Sequence, residues 1–448
     1  MKLLKNIVTR IMKNLLLFIL VLFCYTNIYS QTAEEFFKKG YEKYDHEDFT
    51  GAIIDLTKAI EINPSYELAY FQRGISKFQL KNFNDAIIDL SIVIRLDTIS
   101  DSELKQLAFS FRGNSKLRQG KYKEAIMDFS KAIEINPNED DYLLRGLSNF
   151  SFGNYQEAIL DYSKILLINP NNYYAYVERG SSNLFLKNYN IAIEDFSKAI
   201  EIDDTNYIAY FKKGSVLNEL EDYNNAIIYL TKAIELKPNI ELSYLQRGLA
   251  KRKLRNFHSA ILDFTKAIEI NSASLFAFSE RGIAKNKLND YNGALLDLTK
   301  AIQIDPKNPD NYSERGVSKL NLKDFQGAIL DFTKSLEFNP NNVEVVLNLG
   351  FSKSKLGDYK GAILEYTKVI DVDKTSENAY MNRAVLKSIL KDYRGAILDF
   401  TKVIDINPKY EDIFTHRGFS KHNLNDFSGA ILDIQKQLKL IQTTQMLI

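Results

Sequence analysis

A basic residue and an aspartate recur sixteen positions apart along most of this 448-residue chain. Arg73 precedes Asp89 and Arg281 precedes Asp297, and eight further pairs have the same spacing. Such a pair can form a bidentate ion pair, bind an anion, or place an acid beside a base. Because a pair repeated ten times is more simply a packing device, we interpret these pairs as structural contacts between helices, with anion binding or catalysis as the alternative.

Few other residues are of a type that could carry out catalysis or bind a metal ion. Of the four histidines only His416 and His422 share a predicted helix, and their spacing of six differs from the i, i+4 spacing of two-histidine metal sites. The one cysteine, Cys24, lies in an apolar N-terminal segment, so thiol catalysis and disulfides are not expected elsewhere. We therefore predict a protein without catalytic residues, metal ions or cofactors.

The elements that position the pairs are repeats of 34 residues. Aromatic residues precede a recurring alanine by sixteen and by three positions, and a glycine precedes it by twelve. Apolar residues at spacings of three and four in both halves of a repeat predict two amphipathic helices, and prolines follow the second helix. The alanines, assigned to position 20 of each repeat, are Ala52, Ala86, Ala125, Ala158, Ala192, Ala226, Ala260, Ala294, Ala328, Ala362, Ala396 and Ala430.

These positions are similar to the pattern of the tetratricopeptide repeat (TPR) family. The resemblance extends from Ala33 to about Thr444 and implies an all-α, right-handed superhelical solenoid of about twelve helix-turn-helix units. The second and third alanines are 39 residues apart, so we expect a bend or a longer loop there. The predicted units within 33–444 are 33–66, 67–100, 106–138, 139–172, 173–206, 207–240, 241–274, 275–308, 309–342, 343–376, 377–410 and 411–444.

The resemblance also implies a concave groove, lined by the first helix of each pair, that binds a protein or a peptide. In the N-terminal half the groove positions are mostly apolar and aromatic, and we predict that this half is the main contact surface. For each such residue, packing within the repeat stack is the alternative interpretation. The candidates are Phe37, Tyr41, Tyr44, Phe71, Ile75, Phe78, Phe111, Leu143, Leu147, Phe150, Tyr174, Val177 and Phe211.

The first thirty residues differ from the repeats. Lysines and an arginine precede a ten-residue apolar run from Leu15 to Cys24, which is typical of a signal peptide. We predict cleavage after Ser30 and export to the periplasm or the extracellular space. An uncleaved membrane anchor formed by residues 15–24 is the alternative.

Charge and composition narrow the class of partner. The formal net charge is +1, and acidic and basic residues are interleaved. Neither nucleic acid nor an anionic membrane is therefore an expected partner, except for membrane contact through an uncleaved N-terminal segment. The sequence predicts a non-catalytic scaffold or adaptor that uses its groove. The alternative is a structural component of a cell-envelope complex that contacts partners through its convex face or its ends.

Overall fold

The computed structural model describes residues 32–96, 102–410 and 412–445, with side chains as far as Leu440. The predicted signal peptide, residues 1–30, lies outside the described residues. In the described ranges no helix is long and apolar enough to cross a membrane.

The same ranges contain 24 helices and no strand, which confirms the predicted all-α fold and its twelve helix pairs. Odd-numbered helices are the first helices of the repeats, and even-numbered helices are the second. The helices are α1 Ala33–Asp45, α2 Phe49–Ile62, α3 Glu67–Gln79, α4 Phe83–Leu96, α5 Ser102–Arg118, α6 Tyr122–Ile135, α7 Glu139–Phe152, α8 Tyr155–Ile168, α9 Tyr173–Phe185, α10 Tyr189–Ile202, α11 Tyr207–Glu219, α12 Tyr223–Leu236, α13 Glu241–Lys253, α14 Phe257–Ile270, α15 Leu275–Lys287, α16 Tyr291–Ile304, α17 Pro309–Asn321, α18 Phe325–Phe338, α19 Val343–Lys355, α20 Tyr359–Val372, α21 Glu377–Ile389, α22 Tyr393–Ile406, α23 Ile413–Asn423 and α24 Phe427–Gln445.

The chain divides into two compact units, Met1–Val216 and Leu217–Ile448. Inside each unit a first helix packs on its own second helix, and that second helix packs on the next first helix. The two helices of a pair are antiparallel, because Arg315 contacts Asp331 while Lys319, one turn later, reaches the carbonyl of Gly327.

A glycine allows the two helices of a pair to approach closely. A Cβ atom added to Gly316 would lie 2.6 Å from Cε1 of Phe332, a side chain with no exposed surface. Real carbon atoms do not approach so closely, so only glycine fits there without a shift of the ring. Glycine at position 8 therefore accommodates the large side chain at position 24 in most repeats, although Ala384 takes its place in the repeat that contains Phe400.

Aspartate caps begin many second helices. The carboxylate of Asp324 accepts a hydrogen bond from the backbone N–H of Gly327 at 2.9 Å. A Cβ atom on Gly327 would lie 2.1 Å from the same carboxylate, so glycine permits this short cap, whereas Asp222 caps Asn225, which has a Cβ atom, at the longer distance of 3.3 Å. This relation accounts for a second set of recurring glycines, at position 19.

The extra residues between the second and third repeats, where a bend or a longer loop was predicted, lie partly in a helix. Helix α4 ends at Leu96, and α5 begins at Ser102, four residues before the predicted start of the third repeat. Helix α5 has 17 residues, whereas α3 has 13. The described part of the insertion therefore lengthens a helix by about one turn, and residues 97–101 lie outside the described ranges.

Candidate functional site

The recurring base and aspartate meet as predicted from their spacing. In the second repeat, Nε of Arg73 donates to Oδ2 of Asp89 and Nη2 donates to Oδ1, both at 2.8 Å. Arg281 and Asp297 form the same two-bond contact. Nine arginines make an ion pair of this kind, with Nη2 to carboxylate distances of 2.6–2.8 Å: Arg73, Arg112, Arg145, Arg179, Arg247, Arg281, Arg315, Arg383 and Arg417.

The first repeat departs from this arrangement. Its position-7 residue is Lys39, whose ammonium group lies 5.7 Å from the centre of the Phe36 ring. Asp55 instead contacts Lys43, one turn further along α1, at 2.5 Å. Lysine at position 11 therefore takes the place of arginine at position 7.

A hydroxyl group extends the contact to the preceding repeat. Nη1 of Arg281, on α15, donates to Oγ1 of Thr265, on α14, at 2.9 Å. Arg73 reaches Thr57 in the same way at 3.1 Å. Sequence reasoning missed this partner, although serine or threonine precedes each of these nine arginines by fifteen, sixteen or twenty-one residues.

Most repeats supply a second cation to the aspartate. Nζ of Lys285 lies 2.8 Å from Oδ2 of Asp297, and the guanidinium of Arg281 lies over the ring of Phe278 at 5.7 Å. The carboxylate is thus fully engaged, and the guanidinium is held by both its edge and its face. This geometry supports the structural interpretation over anion binding.

Asparagine replaces the second cation in two repeats. Asn149 donates to Asp161 at 3.1 Å, and burial raises the pKa of Asp161 although Arg145 opposes the shift. Burial acts in the same direction on Asp433, but hydrogen bonds from its arginine and from Lys421 outweigh it and lower the pKa. Asp433 has a second cation that Asp161 lacks, and it is also less deeply buried, and both differences favour its charged form.

The structure separates the predicted groove residues by exposure. Ile75 and Val177 are only 7% and 3% exposed and belong to the core. Tyr41 and Tyr174 are 46% and 37% exposed. The others are half-buried: Phe37, Tyr44, Phe71, Phe78, Phe111, Leu143, Leu147, Phe150 and Phe211.

Several of these side chains form aromatic clusters along the first helices. Phe71 and Phe78 of α3 both meet Phe111 of α5 edge-on, with ring centres 6.0 and 5.9 Å apart. Phe37 lies 6.3 Å from Tyr41 and 5.2 Å from Tyr66. The aromatic rings of consecutive first helices are therefore in contact with one another and form a shared aromatic surface.

One partly exposed aromatic pair was not predicted. Phe185, at the end of α9, stacks on Tyr155 with ring centres 4.9 Å apart, and Phe150 meets it edge-on at 5.2 Å. Phe185 is 57% exposed. The aromatic residue at position 17, which begins all twelve second helices of the described ranges, was a usable signal for this cluster.

A concavity of 540 Å³ lies between α5 and α7 in the first unit. Phe111 and Leu143 form an apolar wall, and Asn114 contributes an amide. At its base Nε2 of Gln106 donates to the buried carboxylate of Asp141 at 2.5 Å. An apolar wall beside amide groups suits an extended peptide, which offers both side chains and backbone hydrogen bonds.

The corresponding positions of the second unit are occupied by polar contacts between first helices. Arg252 of α13 pairs with Glu280 of α15 at 2.5 Å, and burial raises the pKa of Glu280. Asn286 donates to both the backbone oxygen and the carboxylate of Glu314 at 3.0 Å. These polar groups contact one another, so less apolar surface remains for a ligand.

The two histidines near the C-terminus make aromatic contacts. His416 stacks on Phe400 at 5.8 Å, and His422 meets Phe427 edge-on at 5.2 Å. Throughout the described part of the chain, no group of three or more histidine, cysteine or acidic side chains is placed to hold a metal ion.

Comparison with known families identifies six of the repeats. Residues 107–139 match one tetratricopeptide repeat model. A second tetratricopeptide repeat model matches residues 173–206, 207–240, 242–274, 343–376 and 377–410. A search of curated proteins found no match.

Solved structures resemble parts of the chain. YrrB, described as a TPR protein with an unusual peptide-binding site, is 22% identical, with 42% of this chain and 96% of YrrB covered and a TM-score of 0.39. The Cut9–Hcn1 assembly of APC/C gives 13% identity, 88% and 98% coverage and a TM-score of 0.44. MamA from Desulfovibrio magneticus RS-1 gives 20% identity, 38% and 96% coverage and a TM-score of 0.37.

Proposed function

We propose that this chain, which belongs to the tetratricopeptide repeat family, is a non-catalytic scaffold that binds a protein or peptide on the first helices of its N-terminal unit. Helical repeats of this kind provide extended surfaces for protein partners. The observation that carries the proposal is the row of partly exposed aromatic side chains on α1, α3, α5, α7 and α9. Tyr41, Tyr174 and Phe185 each keep more than a third of their surface exposed.

The aromatic clusters also indicate the chemistry of the ligand. Phe71, Phe78 and Phe111 offer ring edges and faces, which favour apolar or aromatic side chains. The concavity between α5 and α7 adds amide groups beside that surface. An extended or helical peptide with several apolar anchors therefore fits better than a highly charged ligand.

The site of action in this proposal is outside the cytoplasm. The charged start and the apolar run from Leu15 to Cys24 support export of the chain to the periplasm or the extracellular space. Mass spectrometry of the protein from its native cells tests this. A soluble cytosolic chain that retains Met1 contradicts export, and a membrane-bound chain that retains it supports the anchor alternative.

A structural role in a cell-envelope assembly is the second candidate function. Large aliphatic side chains stand exposed on the second helices, away from the groove, as in the case of Leu296, which is 74% exposed. Such residues suit contacts with other proteins through the outer face. This role does not require the groove.

Affinity capture with the full-length chain distinguishes the two candidates. The test variant is Tyr41→Ser with Phe185→Ser, because these side chains are 46% and 57% exposed and neither belongs to the buried core. Partners that are lost with this variant support groove binding. Partners that remain bound to it support the structural role.

A further inference from the structure

A buried carboxylate lies in the lining of the concavity between α5 and α7. Asp141 is the third residue of α7, and only 1% of its surface is exposed. Packing of the repeat does not require an acid at this position, because several other repeats have an alanine there that is completely buried. These alanines are Ala69, Ala108, Ala175, Ala209, Ala277 and Ala379.

The carboxylate of Asp141 has no cation as a partner. Its two donors, Nε2 of Gln106 and Nδ2 of Asn138, bond to the same oxygen, Oδ2, at 2.5 and 2.7 Å. Within the described ranges, Oδ1 accepts no hydrogen bond, and no basic side chain forms an ion pair with this residue. Burial of an unpaired charge is costly, and the favourable place of an acid in the first turn of a helix offsets only part of that cost.

The surroundings of Asp141 are apolar or negatively charged. Phe111 and Leu143 form the apolar wall of the concavity. Of the described residues that line it, only Asp140 and Asp141 are charged, and both are acids. Asn114 adds an acceptor, because its Oδ1 atom is buried and has no hydrogen-bond partner in the described part of the chain. The concavity thus offers negative charge and unused acceptors beside an apolar surface.

We propose that this concavity binds an arginine side chain of the peptide partner. The site rests on the proposed function in one respect, because the arginine belongs to that peptide. A guanidinium has five N–H donors for the oxygens of Asp141 and Asn114, and it is more weakly hydrated than an ammonium group. Its methylene stem packs on the wall formed by Phe111 and Leu143. The charge of the ligand is then opposite to that of the site, as in other complementary interfaces.

Two small compounds test this site without the natural partner. Acetyl-leucyl-arginine amide carries the guanidinium, and acetyl-leucyl-citrulline amide replaces it with a neutral urea of nearly the same shape. Saturation-transfer NMR with the full-length chain should give a dissociation constant at least about tenfold lower for the arginine compound. Equal binding of the two compounds overturns the arginine site. It leaves binding of an apolar peptide in the groove intact, since the capture experiment tests that separately.

Asp141→Asn should abolish the preference for the arginine compound, because asparagine keeps the shape of the side chain and removes its charge. Helix α17 already has an asparagine at this position, Asn311, which is only 2% exposed, so the variant should fold. The matched control is Asp310→Asn, which removes a first-turn acid of α17 in the second unit. The control should keep the preference. A preference that survives Asp141→Asn, or that both variants lose, overturns the proposal.

An alkylation experiment locates the ligand while Asp141 stays in place. In a Cys24→Ser background, Leu107→Cys puts a thiol in the lining of the concavity. The arginine compound should slow the reaction of this thiol with iodoacetamide, and the citrulline compound at the same concentration should not. Phe276→Cys, at the same repeat position on α15 and 42% exposed in the unmodified chain, is the control and should react at an unchanged rate. Protection of both thiols, or of neither, overturns the proposal.

Discussion

Arg281 lies edge-to-edge against Asp297, with 2.9 Å from Nε to Oδ2 and 2.7 Å from Nη2 to Oδ1. The third nitrogen of the same guanidinium donates to Thr265 on the preceding repeat at 2.9 Å. One side chain thus joins three helices, α14, α15 and α16. The same contact recurs in the other repeats that carry this arginine. It joins the two helices of a repeat and joins that repeat to the preceding one.

Removal of both members of the pair should cost less than removal of either one. Arg281→Leu leaves a buried carboxylate short of a partner, and Asp297→Leu leaves a confined guanidinium, so each should lower the free energy of unfolding by about 3 kcal/mol. The double variant removes both charges, and it is made, like the single variants, in a Lys285→Met background, because Lys285 also pairs with Asp297. Denaturant melts of the two single variants and the double variant measure this, and additive losses would show that the two residues act independently.

Asn149→Lys should stabilise the protein at neutral pH. The new ammonium would stand where Lys116 contacts Asp128 at 2.8 Å in the preceding repeat. It should therefore lower the pKa of Asp161, which burial now raises. We expect a gain of about 1 kcal/mol at pH 7.

The sign of this effect depends on pH. Because the folded-state pKa of Asp161 is raised, its contribution to stability is present below the ordinary value of 3.8 and is lost as the pH rises through the folded value. The gain from Asn149→Lys should therefore be larger at pH 7 than at pH 3.5. Thermal melts at both pH values check this, with Asn149→Met as the uncharged control. An equal gain at both would argue against the electrostatic explanation.

Two glycines at the same repeat position should respond differently to alanine. Gly316→Ala places a carbon 2.6 Å from the Phe332 ring and should destabilise the fold by roughly 1–3 kcal/mol. Gly418→Ala meets no atom closer than 3.4 Å and should be neutral or slightly stabilising, because alanine favours helix. Urea midpoints of the two variants give the comparison, and similar losses would mean that close approach is not the reason for glycine.

Substitution of exposed groove residues should weaken binding, whereas substitution of buried ones should lower the stability of the fold. Tyr41→Ser with Phe185→Ser should weaken binding of the natural partner by roughly 2 kcal/mol without changing the melting temperature, because both side chains are largely exposed. Ile75→Ala should instead destabilise the fold by about 2 kcal/mol, because its side chain is buried. Calorimetry with the captured partner measures the first effect. Unchanged affinity would show that Tyr41 and Phe185 are not part of the binding surface.

The core of each repeat could be read from its residue pattern. Ala294, the aromatic at position 4 and Gly282 recur at intervals that match one helical face, and local periodicity is a property of the chain alone. The pairing of Arg281 with Asp297 was also accessible, because its spacing recurs while other residues vary. The role of Thr265 was missed, since its partner lies in the next repeat and only packing brings the two together.

The sequence by itself determined the period, the helices and the pairs, because these depend on local spacing that repeats many times. It did not distinguish Ile75 from Tyr41, or Leu296 from its neighbour Leu295, since all are apolar residues of amphipathic helices. Only the tertiary structure decided that Ile75 is covered while Tyr41 and Leu296 remain exposed. Exposure depends on which neighbouring helix covers a side chain, and that is set by the packing of whole helices against one another.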